Sequence, residues 1–316
     1  MSICIVYLGS DRRHKYFEYF AKTLSNMKNK NNIVLLVLTN SFDCEFYDTI
    51  LKKNNLNNNL NNFIIQVIEG ERNYMDKIQY SISFAEKHSI PYIMKHDNDI
   101  IMSSYLYDYM IDNLYLLNDP KNMIITPTLT NGIPSLEYFI DDFLSYNEQK
   151  EVRDEFYKFT FGDLWGADCS SLNTLNTNKW NYNLFYNSIS KLSTHYKGIH
   201  PLRFSEDIHK LLNKYVIKYK NELMSKRDYI LYYDNNSPYI CNNIFCIKTN
   251  KYKEIIENNS LFVDNYDEVP ISKQINIEKA NIVFIRNAAA IHAAYNSISN
   301  EQIEEYILKE FEFILE

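Results

Sequence analysis

Apolar runs of strand length alternate with amphipathic stretches of helical spacing through the first 127 residues. Ile3 to Leu8 reads as a first strand, followed by Gly9-Ser10-Asp11-Arg12-Arg13. Phe17, Phe20, Leu24 and Met27 then fall on one helical face. Ile33 to Leu38 is a second buried strand, closed by Thr39-Asn40-Ser41. Residues 43–53 read as a helix, and the polar run NNLNNNLNN as a surface loop. Phe63 to Ile68 is a third strand.

The stretch from Glu69 to Ser103 carries the most chemistry. Met75, Ile78, Ile82 and Ala85 line one helical face, and Asn73, Lys77 and Ser81 lie on another. Ile90 to Met94 is a short buried strand, with Pro91 at its start. Polarity then switches at Lys95-His96-Asp97-Asn98-Asp99. Two carboxylates at the end of a buried strand stand where open α/β sheets bind ligands. Hard divalent cations in phosphate sites take few protein oxygens plus substrate oxygens. The tripeptide therefore predicts a metal-diphosphate site, although Asp-Asn-Asp is also ordinary turn and cap chemistry. An EF-hand is excluded, because Ile101 and Met102 stand at a ligand position and at the turn glycine.

Leu106, Met110, Leu114 and Leu117 mark a further helix, and Met123 to Thr126 a strand. From Leu129 to about Tyr239 the alternation stops, and Tyr, Phe and Asn dominate a helical or irregular segment. It contains both tryptophans, Trp165 and Trp180, and the turn-like GDLWGADCSS. Strand and helix resume with YICNNIFCIK and residues 250–258. The acidic cluster FVDNYDEVP follows, halted by Pro270. Ile282 to Ile285 is a strand, and a closing helix turns Ile303, Tyr306, Ile307, Phe311 and Ile314 inward. The expected fold is α/β, a doubly wound, mostly parallel sheet with a large aromatic-rich, mainly helical insertion. Residues 1–127 form one half, 128–238 the insertion beside an acceptor, and 239–316 the remainder with a C-terminal helix. No G-x-G-x-x-G or G-x-x-x-x-G-K-[ST] occurs, which disfavours a standard dinucleotide fold and a Walker NTPase.

Composition narrows the classes. The formal net charge is −7, against general nucleic-acid binding. The longest aliphatic run, Ile33 to Leu38, is six residues, too short to span a bilayer. The chain enters a strand at once, without a basic leader. Five cysteines without metal-type pairing are expected to be reduced. The expectation is a cytoplasmic protein without a transmembrane segment, at most peripheral to a membrane.

On these residues the chain resembles nucleotide-sugar-dependent glycosyltransferases of the GT-A type. ERNYMDKIQYSISFAEKHSIPYIMKHDNDI resembles the stretch in which an Asn/Lys-bearing helix precedes a strand ending in D-x-D. NNIFCIKTNKYKEI resembles the strand-helix unit before the second acidic motif. Asp264-x-x-Asp267-Glu268 resembles that motif, and His292, 24 residues after Glu268, the C-terminal histidine of the metal site. The resemblance covers residues 1–127 and 239–296 and leaves the insertion, hence the acceptor, open. It implies a Mn²⁺ or Mg²⁺ ion held by Asp97, Asp99 and His292. It implies a UDP- or GDP-linked sugar donor, contacted by Tyr7, Gly9 and Arg12 of YLGSDRR and by Asn73, Lys77 and Asp97. For an inverting reaction the base candidates are Asp267, then Glu268 and Asp264, with Asp168 as an outsider. Glu206-Asp207 is a competing acidic pair that opens a helix, where the dipole accounts for it. The acceptor is expected to be a hydroxyl of a glycan. Two alternatives stand beside this reading, a nucleotidyltransferase on a similar sheet and a non-catalytic glycan-binding protein.

Overall fold

The computed structural model describes residues 2–9, 14–28, 30–39, 44–56, 62–68, 73–130, 136–158, 206–225, 228–232, 243–258 and 267–293. The first half contains β1 (Ile3–Leu8), α1 (His14–Asn26), β2 (Ile33–Thr39), α2 (Cys44–Lys53), β3 (Asn62–Val67) and α3 (Asn73–Lys87). It continues with β4 (Tyr92–Asp97), β5 (Ile100–Met102), α4 (Ser104–Asp112), a 3₁₀ turn (Leu114–Asn118) and β6 (Asn122–Leu129). Then come α5 (Leu136–Phe143), α6 (Tyr146–Lys158), α7 (Glu206–Lys218), α8 (Lys220–Ser225) and β7 (Asp228–Tyr232). The last described elements are β8 (Ile244–Lys248), α9 (Thr249–Glu257), α10 (Glu268–Glu278) and β9 (Asn281–His292).

The strands form one sheet in the order β3-β2-β1-β4-β8-β6-β9-β5, with β7 also paired to β9. β3, β2, β1 and β4 run parallel, as do β6 and β9. β8 is antiparallel to both β4 and β6, and β5 and β7 are antiparallel to β9. All six residues of β1 are buried, as a parallel strand covered on both faces requires. Ile3, Ile5 and Tyr7 face a layer built from α1, α2 and α4. Cys4, Val6 and Leu8 face the opposite layer of α3, α9 and α10. Phe17, Phe20, Leu24 and Met27 are all buried, so the spacing in α1 identifies its inner face. Each such side chain contributes about 2 kcal/mol of burial free energy.

Lys77 and Ser81 of α3 are both buried. Three local expectations need correction. β4 does not stop at Met94 but runs on through Lys95, His96 and Asp97, because β1 and β8 pair with those residues on either side. Pro270 does not halt the chain; it lies in the first turn of α10, where proline costs no hydrogen bond. β7, within the 128–238 segment, is a strand of the main sheet, with Asp228 to Tyr232 opposite Arg286 to Ile282. Trp165, Trp180, Asp168 and the closing helix lie outside the described residues. Cys4, Cys44 and Cys246 are free thiols. Among the described residues no helix is long and apolar enough to cross a membrane.

Candidate functional site

The sheet reverses its winding between β1 and β4, and the C-terminal ends of these two strands lie side by side, with Leu8 opposite Asp97. Such a switch point opens a crevice at the carboxyl ends of the strands. Three contacts tie the segments at these strand ends together. The Tyr7 hydroxyl donates to the Asn98 carbonyl at 3.0 Å, tying β1 to the turn after β4. Lys77 Nζ donates to the Gly9 carbonyl at 3.0 Å, tying α3 to the end of β1. The Gly9 amide donates to the Leu38 carbonyl at 2.7 Å. A Cβ on Gly9 would stand 2.6 Å from the Tyr47 hydroxyl oxygen, so the close approach itself calls for glycine here.

Asp99 follows at the turn into β5. Antiparallel pairing of β5 with β9 sets Ile100 opposite His292, and the Ala293 amide donates to the Asp99 carbonyl at 2.6 Å. This pairing brings His292 Nε2 to 3.1 Å from Asp99 Oδ2. The two residues are 193 positions apart in sequence (292 minus 99). Asn243, just before β8, completes the group. Its carbonyl accepts from the Asp97 amide at 2.8 Å, and its side-chain amide lies 3.1 Å from His292 Nε2. No sequence pattern singles out Asn243, because its place beside Asp97 comes from the antiparallel register of β4 and β8.

Asp97 points elsewhere. Its Oδ1 is 2.8 Å from Lys95 Nζ, and the lysine is fully buried while the Asp97 side chain is 21% exposed. Lys95 also lies over the Tyr74 and Phe245 rings, 5.3 and 5.9 Å from their centroids. Burial pushes the Asp97 carboxyl up to about 6, with Asp99 and Asp267 adding to the rise and Lys95 opposing it. Among the described residues no group of three or more His, Cys, Asp or Glu side chains gathers to hold a metal. Asp99 and His292 come together, whereas Asp97 pairs with Lys95.

Asp267 is fully buried at the start of α10. Its two oxygens accept from the Tyr74 and Tyr252 hydroxyls, each at 2.5 Å. Burial, reinforced by Asp267, raises both phenols well above their ordinary range. Asp267, the first candidate for the base, is thus held by two phenols within the described core. Glu268 opens α10, and Asn73 opens α3. Arg12 and Asp264 lie outside the described residues.

The donor set fits a divalent ion in a limited form. One carboxylate and one imidazole suit Mn²⁺ and permit Mg²⁺. Their 3.1 Å spacing matches neighbouring ligands on an octahedral ion, which stand about 3.0 Å apart. Such ions keep waters and substrate phosphates in their remaining positions.

No family model matches the chain, and no curated protein matches it. Among solved structures, a cytidylyltransferase from Leptospira borgpetersenii serovar Hardjo-bovis (strain JB197) is similar at a TM-score of 0.31 and 19% identity, over 51% of this chain and 72% of that one.

Proposed function

We propose that the protein is a transferase acting on a nucleotide-linked substrate, and specifically a glycosyltransferase using a nucleoside diphosphate sugar, UDP- or GDP-linked. The observation that carries this reading is the Asp99–His292 pair, 3.1 Å apart at the carboxyl ends of β4 and β9. Strands that meet there bring a hard carboxylate and an imidazole to the crevice where a diphosphate is expected. Asp99 and His292 would hold Mn²⁺ or Mg²⁺, which when bound neutralises charge on the departing nucleoside diphosphate.

The chain's own residues then divide the work. Lys95 holds Asp97 as an ionised acceptor, suited to a ribose hydroxyl of the donor. Tyr7 fixes the Asn98 turn, so the Asp97 and Asp99 carboxylates keep their relative placement. Lys77 holds Gly9 at the end of β1, and Asn73 and Arg12 are proposed to meet the donor. The acceptor is proposed to be a glycan hydroxyl, in a cytoplasmic or membrane-peripheral setting. With Asp267 engaged by tyrosines, the base for an inverting reaction is not assigned to it.

Nucleotidyl transfer, the activity for which the Leptospira protein above is named, would occupy the same crevice with a triphosphate. A thermal-shift panel separates the readings, because a ligand that binds only the native state raises apparent stability by mass action. UDP, GDP and their sugars are expected to raise Tm only with Mn²⁺. A shift confined to NTPs would favour nucleotidyl transfer, and no shift with any nucleotide would end the enzyme reading.

A further inference from the structure

We infer that Asn243 is a third protein ligand, through its amide oxygen, to a divalent cation held by Asp99 and His292. The inference rests on the metal-dependent reading above and adds to it a residue outside the D-x-D tripeptide and the C-terminal strand.

Two side chains converge on His292 Nε2. Asp99 Oδ2 is 3.1 Å from it, and the Asn243 side-chain amide is also 3.1 Å from it. A single ring nitrogen carries either one proton or one lone pair. It cannot take a proton from Asn243 Nδ2 and give one to Asp99 in the same state. The nitrogen and oxygen of an amide exchange places by a half-turn of the group. With the oxygen turned inward, it and Asp99 Oδ2 both lie about 3.1 Å from His292 Nε2, and a cation bound by all three removes the conflict. Carboxylate, imidazole and amide oxygen are a donor set that Mn²⁺ and related hard ions accept.

The backbone supports the same conclusion. The Asn243 carbonyl accepts from the Asp97 amide at 2.8 Å, which locks residue 243 beside the end of β4. Three separate segments thus contribute one ligand each: the turn between β4 and β5 through Asp99, the residue before β8 through Asn243, and the end of β9 through His292.

The test uses the full chain with Mn²⁺ or Cd²⁺ alone, and reads free Mn²⁺ by electron paramagnetic resonance. Wild type is expected to bind Mn²⁺, and Asn243→Ala to bind about tenfold more weakly. Weakening by itself would also follow from an amide that only orients His292. The separating variant is Asn243→Cys, since a thiolate ligand favours a soft ion. It is expected to shift preference toward Cd²⁺ by about tenfold or more and to show a thiolate-to-cadmium absorption band. Asn243→Asp, which keeps an oxygen and loses the N–H, is expected to bind Mn²⁺ at least as tightly as wild type. Unchanged Mn²⁺ and Cd²⁺ affinities in Asn243→Ala and Asn243→Cys, with wild type still binding Mn²⁺ and Asp99→Ala not, would overturn the inference and leave the two-residue site standing. Failure of wild type to bind either ion would remove both.

Discussion

Lys95 Nζ lies 2.8 Å from Asp97 Oδ1, and no part of the lysine side chain reaches solvent. A buried ammonium is tolerated when a carboxylate faces it, and removing one partner leaves the other charge uncompensated. Lys95→Met is therefore expected to cost about 3 kcal/mol in urea denaturation. Lys95→Met combined with Asp97→Asn should recover a large part of that loss. A double variant no more stable than Lys95→Met would show that the ammonium matters through packing on Tyr74 and Phe245 rather than through its charge.

His96 and Asp97 bind protons in opposite senses. Burial drives the His96 imidazole down to about 3 from 6.5. Its folded value is depressed, so it favours the native state above 6.5 and loses that stability as pH falls from there toward 3. Burial raises Asp97 from 3.8 to about 6, so its stability is present below 3.8 and is lost as pH rises through 6. Between about pH 4 and pH 6 each contributes a slope of about 1.4 kcal/mol per pH unit, with opposite signs. In the metal-free protein these two contributions are expected to offset each other there. Asp97→Asn should lose stability on acidification, and His96→Phe should gain it. Urea midpoints measured across that window check the result, and parallel profiles in the two variants would contradict it.

Gly9→Ala is expected to cost about 2 kcal/mol, since the added methyl would stand 2.6 Å from the Tyr47 hydroxyl oxygen and 3.3 Å from the Leu38 carbonyl. Tyr47→Phe in the same chain should return part of the loss by removing the nearest atom. A thermal melt of the single and double variants suffices. Equal melting of Gly9→Ala and wild type would mean that the neighbouring chain yields without cost.

Asp267 gives one oxygen to each of two phenols, so the phenols should be coupled. Tyr74→Phe and Tyr252→Phe are each expected to destabilise by about 2 kcal/mol, the range for hydrogen bonds to a charged group. The two together should depart from additivity by about 0.5 kcal/mol or more, because they share one carboxylate. A strictly additive double-mutant cycle would show that the two bonds act independently.

Much of the frame is legible in the sequence because its elements obey a single period. Ile3 to Leu8 and Ile33 to Leu38 are uninterrupted apolar runs, and Phe17, Phe20 and Leu24 keep helical spacing. The Asp99–His292 pair is legible only through a resemblance, since the residues meet by the pairing of β5 with β9. Lys95 and His96 mislead because their polarity reads as a strand's end, whereas β1 and β8 bury them. Asp267 lies in an acidic cluster beside a proline, and no local pattern records that Tyr74 and Tyr252 close over its carboxylate. Asn243 carries no signal of its own, as asparagine is common throughout the chain. Its position is set by register, which no local pattern records.

The most direct measurement is a calorimetric titration of UDP and of GDP into the full chain, with and without Mn²⁺, repeated on Asp99→Ala. Binding is expected for at least one nucleotide with Mn²⁺ present, with affinity at least about tenfold lower without the metal and a comparable loss in Asp99→Ala. Nucleotide binding of equal affinity in wild type and Asp99→Ala, indifferent to Mn²⁺, would contradict the assignment of this crevice as the metal-diphosphate site.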